Sequence, residues 1–529
     1  MESSVSDYWQ YLQNLSASLS SELLDQIRIL LADTSLDNPT SGRDFNNFAV
    51  FALIEAENSE DLSQREFYLG IATEALNREE ALDEYPLCAA HLALVLAAIG
   101  QIQSAIDLAL TTFLKILPLA YTENQKLLPG LVYFPVNSTK LGDLEISQII
   151  AAENSYQQSI LLISQVLCYS TSVFYDFGLR ALHLAIQILP DSPTSNLKLG
   201  VASILNNQME GVLYLHRASK IAPEDAKIWQ ALHLIYRDLK QPIIAQSFLQ
   251  KGRSLRQQNP NQINWQWTNL ESNSAFTYVP FENNLILTVE ASLCSIVTSV
   301  LLAEGDWFEN EIEFWRHWIE PGMTVIDVGA NVGVYTFSAA QKVGSSGCVL
   351  AVEPFFGGVS CLSETCRINE INWVKVCAGA ASDRNGFINL QLEVSNEYNA
   401  IISDEDAAEI SPEKLQKVAC FTLDSLVEKE NLNRVDLLKI DAEGHEMSVL
   451  LGSETILTQF APLIIYENVI SGVQNSNLPV AEFLLEKGYQ LFSYQPFLRK
   501  LIPIDNLTDL PAKLNIIALP EGRVAGINT

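Results

Sequence analysis

Between residues 324 and 353 the chain runs from a short apolar stretch into a glycine turn, and then to a second apolar stretch that ends in a carboxylate. Few folds accept that order. Thr324-Val325-Ile326-Asp327-Val328 is β-branched and apolar, Gly329-Ala330-Asn331-Val332-Gly333 is a Gly-x-x-x-Gly turn, and Glu353-Pro354 closes the apolar run Val349 to Val352. A strand that enters a helix through such a turn brings backbone close to a ligand, and the helix N-terminus favours the negative end of it. Glu353 follows Gly333 by twenty residues, a spacing suited to a carboxylate that accepts two hydrogen bonds from a ribose diol. The turn lacks the lysine and the glycine spacing of a phosphate loop. Asp327 at the first strand end would repel a pyrophosphate, so the pattern favours a nucleoside beside a sulfonium and an amino-acid group over a dinucleotide.

The residues that follow keep alternating strand and helix. Helices are expected at Tyr335 to Val343, Val359 to Asn369 and Ser448 to Leu457. Strands are expected at Val374 to Ala378, Val435 to Ile440 and Pro462 to Tyr466, with Tyr489 to Ser493 and Leu514 to Ala518 as a closing pair. This order argues an α/β, doubly wound parallel sheet, in which ligands bind beyond the carboxyl ends of strands. Those ends carry Asp327, Glu353, Ser382-Asp383, Asp441 to Glu446, and Glu467-Asn468. Residues 387–434 interrupt the alternation and are expected to be loop and helix, with a further element at Leu415 to Val418. A segment of that size over a site is a candidate substrate lid.

Asp327-x-Gly329-Ala330-Asn331-x-Gly333, Glu353-Pro354 and Lys439-Ile440-Asp441-Ala442-Glu443-Gly444-His445-Glu446 together resemble the FkbM family of class I S-adenosylmethionine-dependent methyltransferases, over roughly residues 285–520. The resemblance implies a Rossmann-like fold, S-adenosyl-L-methionine as cofactor, and O-methylation of a hydroxyl on a sugar, glycan or secondary metabolite. It implies that Asp327, Gly329, Asn331, Gly333, Glu353 and Asp383 line the cofactor pocket, and that Asp441 to Glu446, including Glu443 and Glu446, form its substrate-side wall. Glu309 in Asp306-Trp307-Phe308-Glu309 is a further cofactor-side candidate. For the proton of the acceptor hydroxyl the candidates are His445, Asp441 and Glu467, since histidine titrates near neutrality and both carboxylates leave strand ends. His445 can equally be a partly buried histidine bonded to Glu443 or Glu446. No metal is assigned, because nothing fixes ligand spacing. The alternatives are methylation of nitrogen or of a protein side chain, for which Asp441-Ala442-Glu443-Gly444 is not the amino-methylation signature, and a repeat scaffold with an inactive methyltransferase-like domain, which intact cofactor residues disfavour. A nicotinamide oxidoreductase would want Gly-x-Gly-x-x-Gly.

The N-terminal half has helical spacing almost throughout. Leu182-His183-Leu184-Ala185-Ile186-Gln187-Ile188-Leu189-Pro190-Asp191 returns 33 residues later as Leu215-His216-Arg217-Ala218-Ser219-Lys220-Ile221-Ala222-Pro223-Glu224, with Trp229, Leu232, Tyr236 and Ala245 at packing positions. This resembles, degenerately, the tetratricopeptide repeat, in which hairpins stack because one alone cannot bury its apolar face. Ala89 to Ile99 and Ile102 to Ile116 read as another hairpin turned at Gly100. Leu127 to Glu145, rich in proline and glycine, interrupts the pattern as an elaborated junction. The expected organisation is a helical cap and loop over 1–50, TPR-like repeats over 51–258, a linker over 259–284 and a methyltransferase-like domain over 285–529. The repeats are expected either to dock a peptide, carrier or partner protein, or to serve as scaffold or homo-oligomer contact.

Charge and cysteine usage complete the reading. Lys and Arg total 32 against 63 Asp and Glu, a formal charge of −31, which disfavours nucleic acid and anionic membrane surfaces. The eight cysteines include no Cys-x-x-Cys pair and fit reduced, buried thiols. No secretory signal and no apolar run of membrane-spanning length are expected, Leu92 to Ile99 being short and followed by Gly100-Gln101, so the expected location is cytoplasmic.

Overall fold

The computed structural model describes residues 2–15, 22–32, 35–120, 127–135, 143–169, 173, 176–258, 260–393, 396–468, 477–512 and 514–524. The chain forms two compact units, residues 1–223 with 496–499, and residues 224–495 with 500–529.

Among the described residues, the regular elements of the first unit are helices, and one further segment runs extended. The hairpin expected around Gly100 is present as Pro86–Ala98 and Ile102–Ala120. Ser41 starts Gly42–Asn58 with a capping box closed by Asp44, and Ser192 caps Pro193–Leu205, which opens on proline. The repeat seen at 182–224 corresponds to Asp176–Ile188, Pro193–Leu205 and Gly211–Ile221. One expectation is corrected. Ile102–Leu119 is an 18-residue window of mean hydropathy 1.3, long and apolar enough by composition to cross a membrane. Asp107 and Lys115 within it had broken the apolar run in the sequence without lowering its average. This helix packs on Pro86–Ala98 and Ser155–Tyr169.

Residues 127–135 run extended between the helices, and Leu131, Val132, Tyr133 and Phe134 are buried. The remainder of the expected junction, 136–142, lies outside the described residues. Inside this region His91 accepts the Tyr133 N–H at Nε2 (2.9 Å) and pairs through Nδ1 with Asn46 Oδ1 (2.8 Å), so the ring must be neutral with its proton on Nδ1.

The second unit begins with the hairpin Ala226–Asp238 and Pro242–Gln258, in which His233, at a position where the repeat pattern wants a small residue, bonds the Ala245 carbonyl (2.8 Å). The polar stretch read as a linker that packs back onto a neighbour does pack. Trp265 and Trp267 sit in a short 3-10 turn against Ala226 and Leu249, and Phe276–Phe281 (β1) pairs antiparallel with Leu285–Glu290 (β2). The two buried tryptophans supply most of the apolar surface for this packing. The helix Glu311–Trp318 then leads to the central sheet.

That sheet is built from Thr324–Val328 (β3), Cys348–Glu353 (β4), Val374–Ala378 (β5), Leu437–Ile440 (β10), Leu463–Glu467 (β11), Tyr489–Gln495 (β12), Lys500–Pro503 (β13) and Asn515–Pro520 (β14). Its order is β13-β12-β14-β11-β10-β3-β4-β5. The strands from β5 to β11 are parallel, and β14 enters antiparallel between β11 and β12. The near-continuous apolar runs of β3, β4, β10 and β11 follow from burial on both faces. The expected closing pair therefore does pair, and it extends the sheet beyond β11.

The segment expected as a lid of loop and helix also contributes three strands. Ala380–Ala381 (β6), Gly386–Gln391 (β7), Ala400–Ile402 (β8) and Leu415–Phe421 (β9) form a second sheet in the order β6-β9-β7-β8, and residues 394–395 lie outside the described set. Period-two burial of Ile388 and Leu390 against Val418 and Cys420 supplies its small core. The acidic stretch after residue 395 had hidden that alternation.

Burial pushes the His91 pKa down to about 3, against a weaker opposing pull from the Leu87 carbonyl. The unfolded chain takes up this proton near pH 6.5 while the folded chain refuses it until about pH 3, so stability falls as pH drops through that window. Urea unfolding followed by helical circular dichroism should show about 2 kcal/mol of extra loss between pH 7 and pH 5. His91→Gln, which takes no proton, should narrow the difference by that amount.

Candidate active site

The carboxyl ends of β3, β4, β10 and β11 meet around the glycine turn. The turn is pinned to the next strand by N–H bonds from Gly329 and Ala330 to the Val352 carbonyl (3.0 and 3.1 Å), and Asp441 N–H bonds the Val328 carbonyl (3.1 Å). Gly329, at φ 74°, lies so close to the turn after β10 that a Cβ there would sit 1.7 Å from the Asp441 carbonyl oxygen. No side chain fits. Asn331 (φ 49°) and Gly333 (φ 101°) carry the chain round into the helix Val334–Val343.

Glu353 is the acidic end of β4 and is buried. Its Oε2 accepts the Asn331 N–H and its Oε1 the Phe355 N–H, both at 2.7 Å. Each oxygen retains one lone pair, the acceptor set a vicinal diol requires. Burial pushes its pKa up to about 7, against the pull of those two N–H groups. Asp327, also buried, accepts the Thr336 hydroxyl (2.5 Å), and burial raises it to about 6. Asp327, Gly329, Asn331, Gly333 and Glu353, all expected on the cofactor side, are thus brought together at two strand ends and one helix start. Their donor and acceptor chemistry fits a nucleoside with a cationic sulfur.

Across β3, Lys439 of β10 sits in register with Asp327. Its side chain is 1% exposed, and Nζ bonds Asp441 Oδ2 (3.0 Å) and lies 4.9 Å from the centre of the Tyr335 ring. Burial disfavours its charge, yet Asp441, Glu309 and Asp327 hold its pKa above the usual lysine value. Glu309 is fixed by the Tyr335 hydroxyl (2.7 Å) and Asn515 Nδ2 (2.9 Å). Its candidacy as a cofactor-side group therefore translates into a place beside Lys439 and Tyr335.

Asp441, Glu443 and Glu467 each bring a carboxylate oxygen within 4.8 Å of the others. Burial raises the Glu467 pKa well above the ordinary range, reinforced by Asp441 and Glu443 and opposed by Lys439. Glu446 has a different part: Oε1 accepts the Ala442 and Gly444 N–H groups (3.0 and 3.1 Å) and Oε2 takes Asn477 Nδ2 (2.9 Å), so it holds the turn. His445 Nε2 pairs with the Ser382 hydroxyl (3.0 Å) and not, as expected, with Glu443 or Glu446, and burial lowers its pKa. Asp383 does not end the third strand of the main sheet. β5 stops at Ala378, and Ser382-Asp383 leave β6 in the second sheet, where Asp383, 41% exposed, meets Arg384 (3.1 Å). The sequence reading ended β5 at Ala378, as observed, but did not anticipate the two-residue strand that follows it.

Residues 327–491 match the family model of the Methyltransferase FkbM domain. The second unit carries an FkbM-type methyltransferase domain. It is S-adenosylmethionine-dependent. Solved structures with likeness to the chain include the methyltransferase FkbM from Methylobacillus flagellatus (13% identity, 42% of this chain and 53% of that one, TM-score 0.25). Two others are the AdoMet complex of M. jannaschii TYW2 (14%, 47% and 86%, 0.24) and a SAM-dependent O-methyltransferase from Thermotoga maritima (16%, 40% and 66%, 0.21). The chain thus spans about half the length of the Methylobacillus protein. No curated protein matches the chain.

The sequence reading left out Tyr335, Thr336 and Asn515 as partners of the FkbM site, and took Lys439 only as part of a motif. A lone cation inside the buried strand Leu437-Leu438-Lys439-Ile440 was the available signal. Two outcomes are expected. Glu353→Ala should weaken S-adenosylmethionine binding, followed by calorimetry, by tenfold or more, as loss of hydrogen bonds to a charged group costs about 1.5–3 kcal/mol. Lys439→Met should lower unfolding stability by about 3–5 kcal/mol, because it strands buried carboxylates without their cation. Adding Asp441→Asn should recover part of that loss.

Proposed function

We propose that the FkbM-type domain methylates a hydroxyl oxygen of a sugar, glycan or secondary metabolite. The observation that carries this reading is the convergence of Asp441, Glu443 and Glu467 at the ends of β10 and β11. A wall of three acceptors suits neighbouring hydroxyl groups, which donate to it, and disfavours an anionic acceptor.

Bound S-adenosylmethionine supplies an electrophilic methyl on a sulfonium that leaves as a neutral thioether. The protein's own task is to hold the acceptor oxygen in line and to take its proton. Glu467 is the base in this reading: an alcohol is a poor nucleophile, and a carboxylate whose pKa is raised is a stronger base than an ordinary one. Asp441, fixed by Lys439, and Glu443 orient the hydroxyl. His445, engaged with Ser382, steadies the turn that carries them.

A radiolabelled methyl-transfer screen over glycans, hydroxylated metabolites, amines and peptides tests the acceptor. Label in base-stable methyl ethers is expected, and label confined to amines or peptides would overturn the reading. With an acceptor in hand, kcat/KM should rise with pH until Glu467 is ionised and then level off. Glu467→Gln should lower kcat by about 10²- to 10⁴-fold and abolish that rise, with cofactor affinity retained.

A further inference from the structure

Among the described residues the extended segment in the first unit has no strand beside it, yet its backbone is answered as though it had two. Gly130 gives its N–H to Gln158 Oε1 (2.8 Å) and takes Gln158 Nε2 at its carbonyl (3.0 Å). Val132 does the same with the Tyr8 hydroxyl (3.1 and 2.5 Å), and Phe134 with the Tyr11 hydroxyl (2.7 and 2.5 Å). The residues between face the other way. Leu131 gives its N–H to Asn47 Oδ1 (2.8 Å) and accepts Asn46 Nδ2 (2.9 Å), and Tyr133 gives its N–H to His91 (2.9 Å). Upstream, the Leu128 carbonyl accepts the Tyr85 hydroxyl (2.8 Å) and the Pro129 carbonyl accepts Arg43 Nε (2.9 Å).

Alternate residues facing opposite edges is the pattern of a strand between two neighbours, and a residue that exchanges both groups with one partner is its close-spaced pair. Here the neighbours are side chains from Glu2–Leu15 and Ser155–Tyr169 on one edge, and from Gly42–Asn58 and Pro86–Ala98 on the other. Every extended peptide offers those same edges, so the channel reads backbone first, as in strand addition to a sheet. Specificity comes from what surrounds the side chains. A Cβ at residue 130 would meet Tyr85 Oη at 2.7 Å and Asn46 Nδ2 at 2.9 Å, so that position takes glycine alone, and the four residues after it are at most 1% exposed.

We propose that the helical unit is a receptor for an extended peptide with glycine followed by four apolar residues, and that residues 128–134 occupy this receptor in cis. The partner it fits is a protein that presents the same pattern as an unpaired strand and competes with the built-in one.

The test uses the full chain with residues 128–134 replaced by a Gly-Ser stretch of equal length. A fluorescent peptide Leu-Pro-Gly-Leu-Val-Tyr-Phe, with terminal lysines for solubility, is titrated against it. Saturable binding of one peptide per chain is expected, at least tenfold tighter than to the parent. The bonds lost in a replaced chain that also carries Tyr8→Phe and Tyr11→Phe should reverse that gain, and a peptide with valine in place of glycine should not bind. A replaced chain that keeps its helical circular dichroism but ignores the peptide overturns the proposal. Hydrogen exchange on the unaltered protein decides it independently of whether the replaced chain folds. A ligand in cis opens without its receptor, so amides 130–134 should exchange at least tenfold faster than the interiors of Gly42–Asn58 and Pro86–Ala98. Equal rates would make the segment part of one cooperative core and overturn the proposal.

Discussion

Lys439 carries a positive charge where water hardly reaches, and the geometry of the methyltransferase site follows from how that charge is answered. In a medium of low polarity an ammonium is tolerated only beside carboxylates, and Asp441, Asp327 and Glu309 supply them from the ends of β10 and β3 and from the stretch before Glu311–Trp318. Tyr335 adds a ring face to the same cation and a hydroxyl to Glu309, which Asn515 holds from the other side. Elements distant in sequence are thereby fixed to one point. The cost runs the other way as well. Burial pushes Glu353 and Glu467 toward the protonated form, and at Glu467 the opposing pull of Lys439 does not offset it. The site is a cluster of acids that one buried cation neutralises unevenly.

Much of this domain was legible because its constraints are local. β3, the glycine turn and β4 follow one another directly, and each leaves a mark on the residue types: β-branched apolar residues for a strand buried on both faces, glycine where Asp441 crowds the backbone, a carboxylate where the strand stops. The order of β10 and β11 followed for the same reason. What stayed hidden depends on pairing at a distance. The second sheet alternates over few residues and is interrupted by an acidic stretch, and Ser382 meets His445 across 63 residues. Glu446 shows the limit from another side. A glutamate in a motif at a strand end reads as a site group, and only the two N–H groups it accepts show that it shapes the turn.

In the helical unit the repeat period was visible and the threaded segment was not. Tyr8, Asn46, His91 and Gln158 are spaced over 150 residues, and nothing in their local sequence marks them as partners of one strand. Polar residues on otherwise buried helix faces were the only trace, and such residues are ordinarily satisfied within their own helices.

The place of β14 in the central sheet bears on how the second unit comes into being. Asn515–Pro520 lies between β11 and β12, so each of those strands lacks a partner on that edge until residue 520 has been made. A ribosome-bound chain short of that point carries two apolar strands with open edges, while the helices of the first unit need only nearby residues to form. Synthesis therefore leaves the sheet incomplete through nearly the whole of its length, and the last strand to emerge closes its middle.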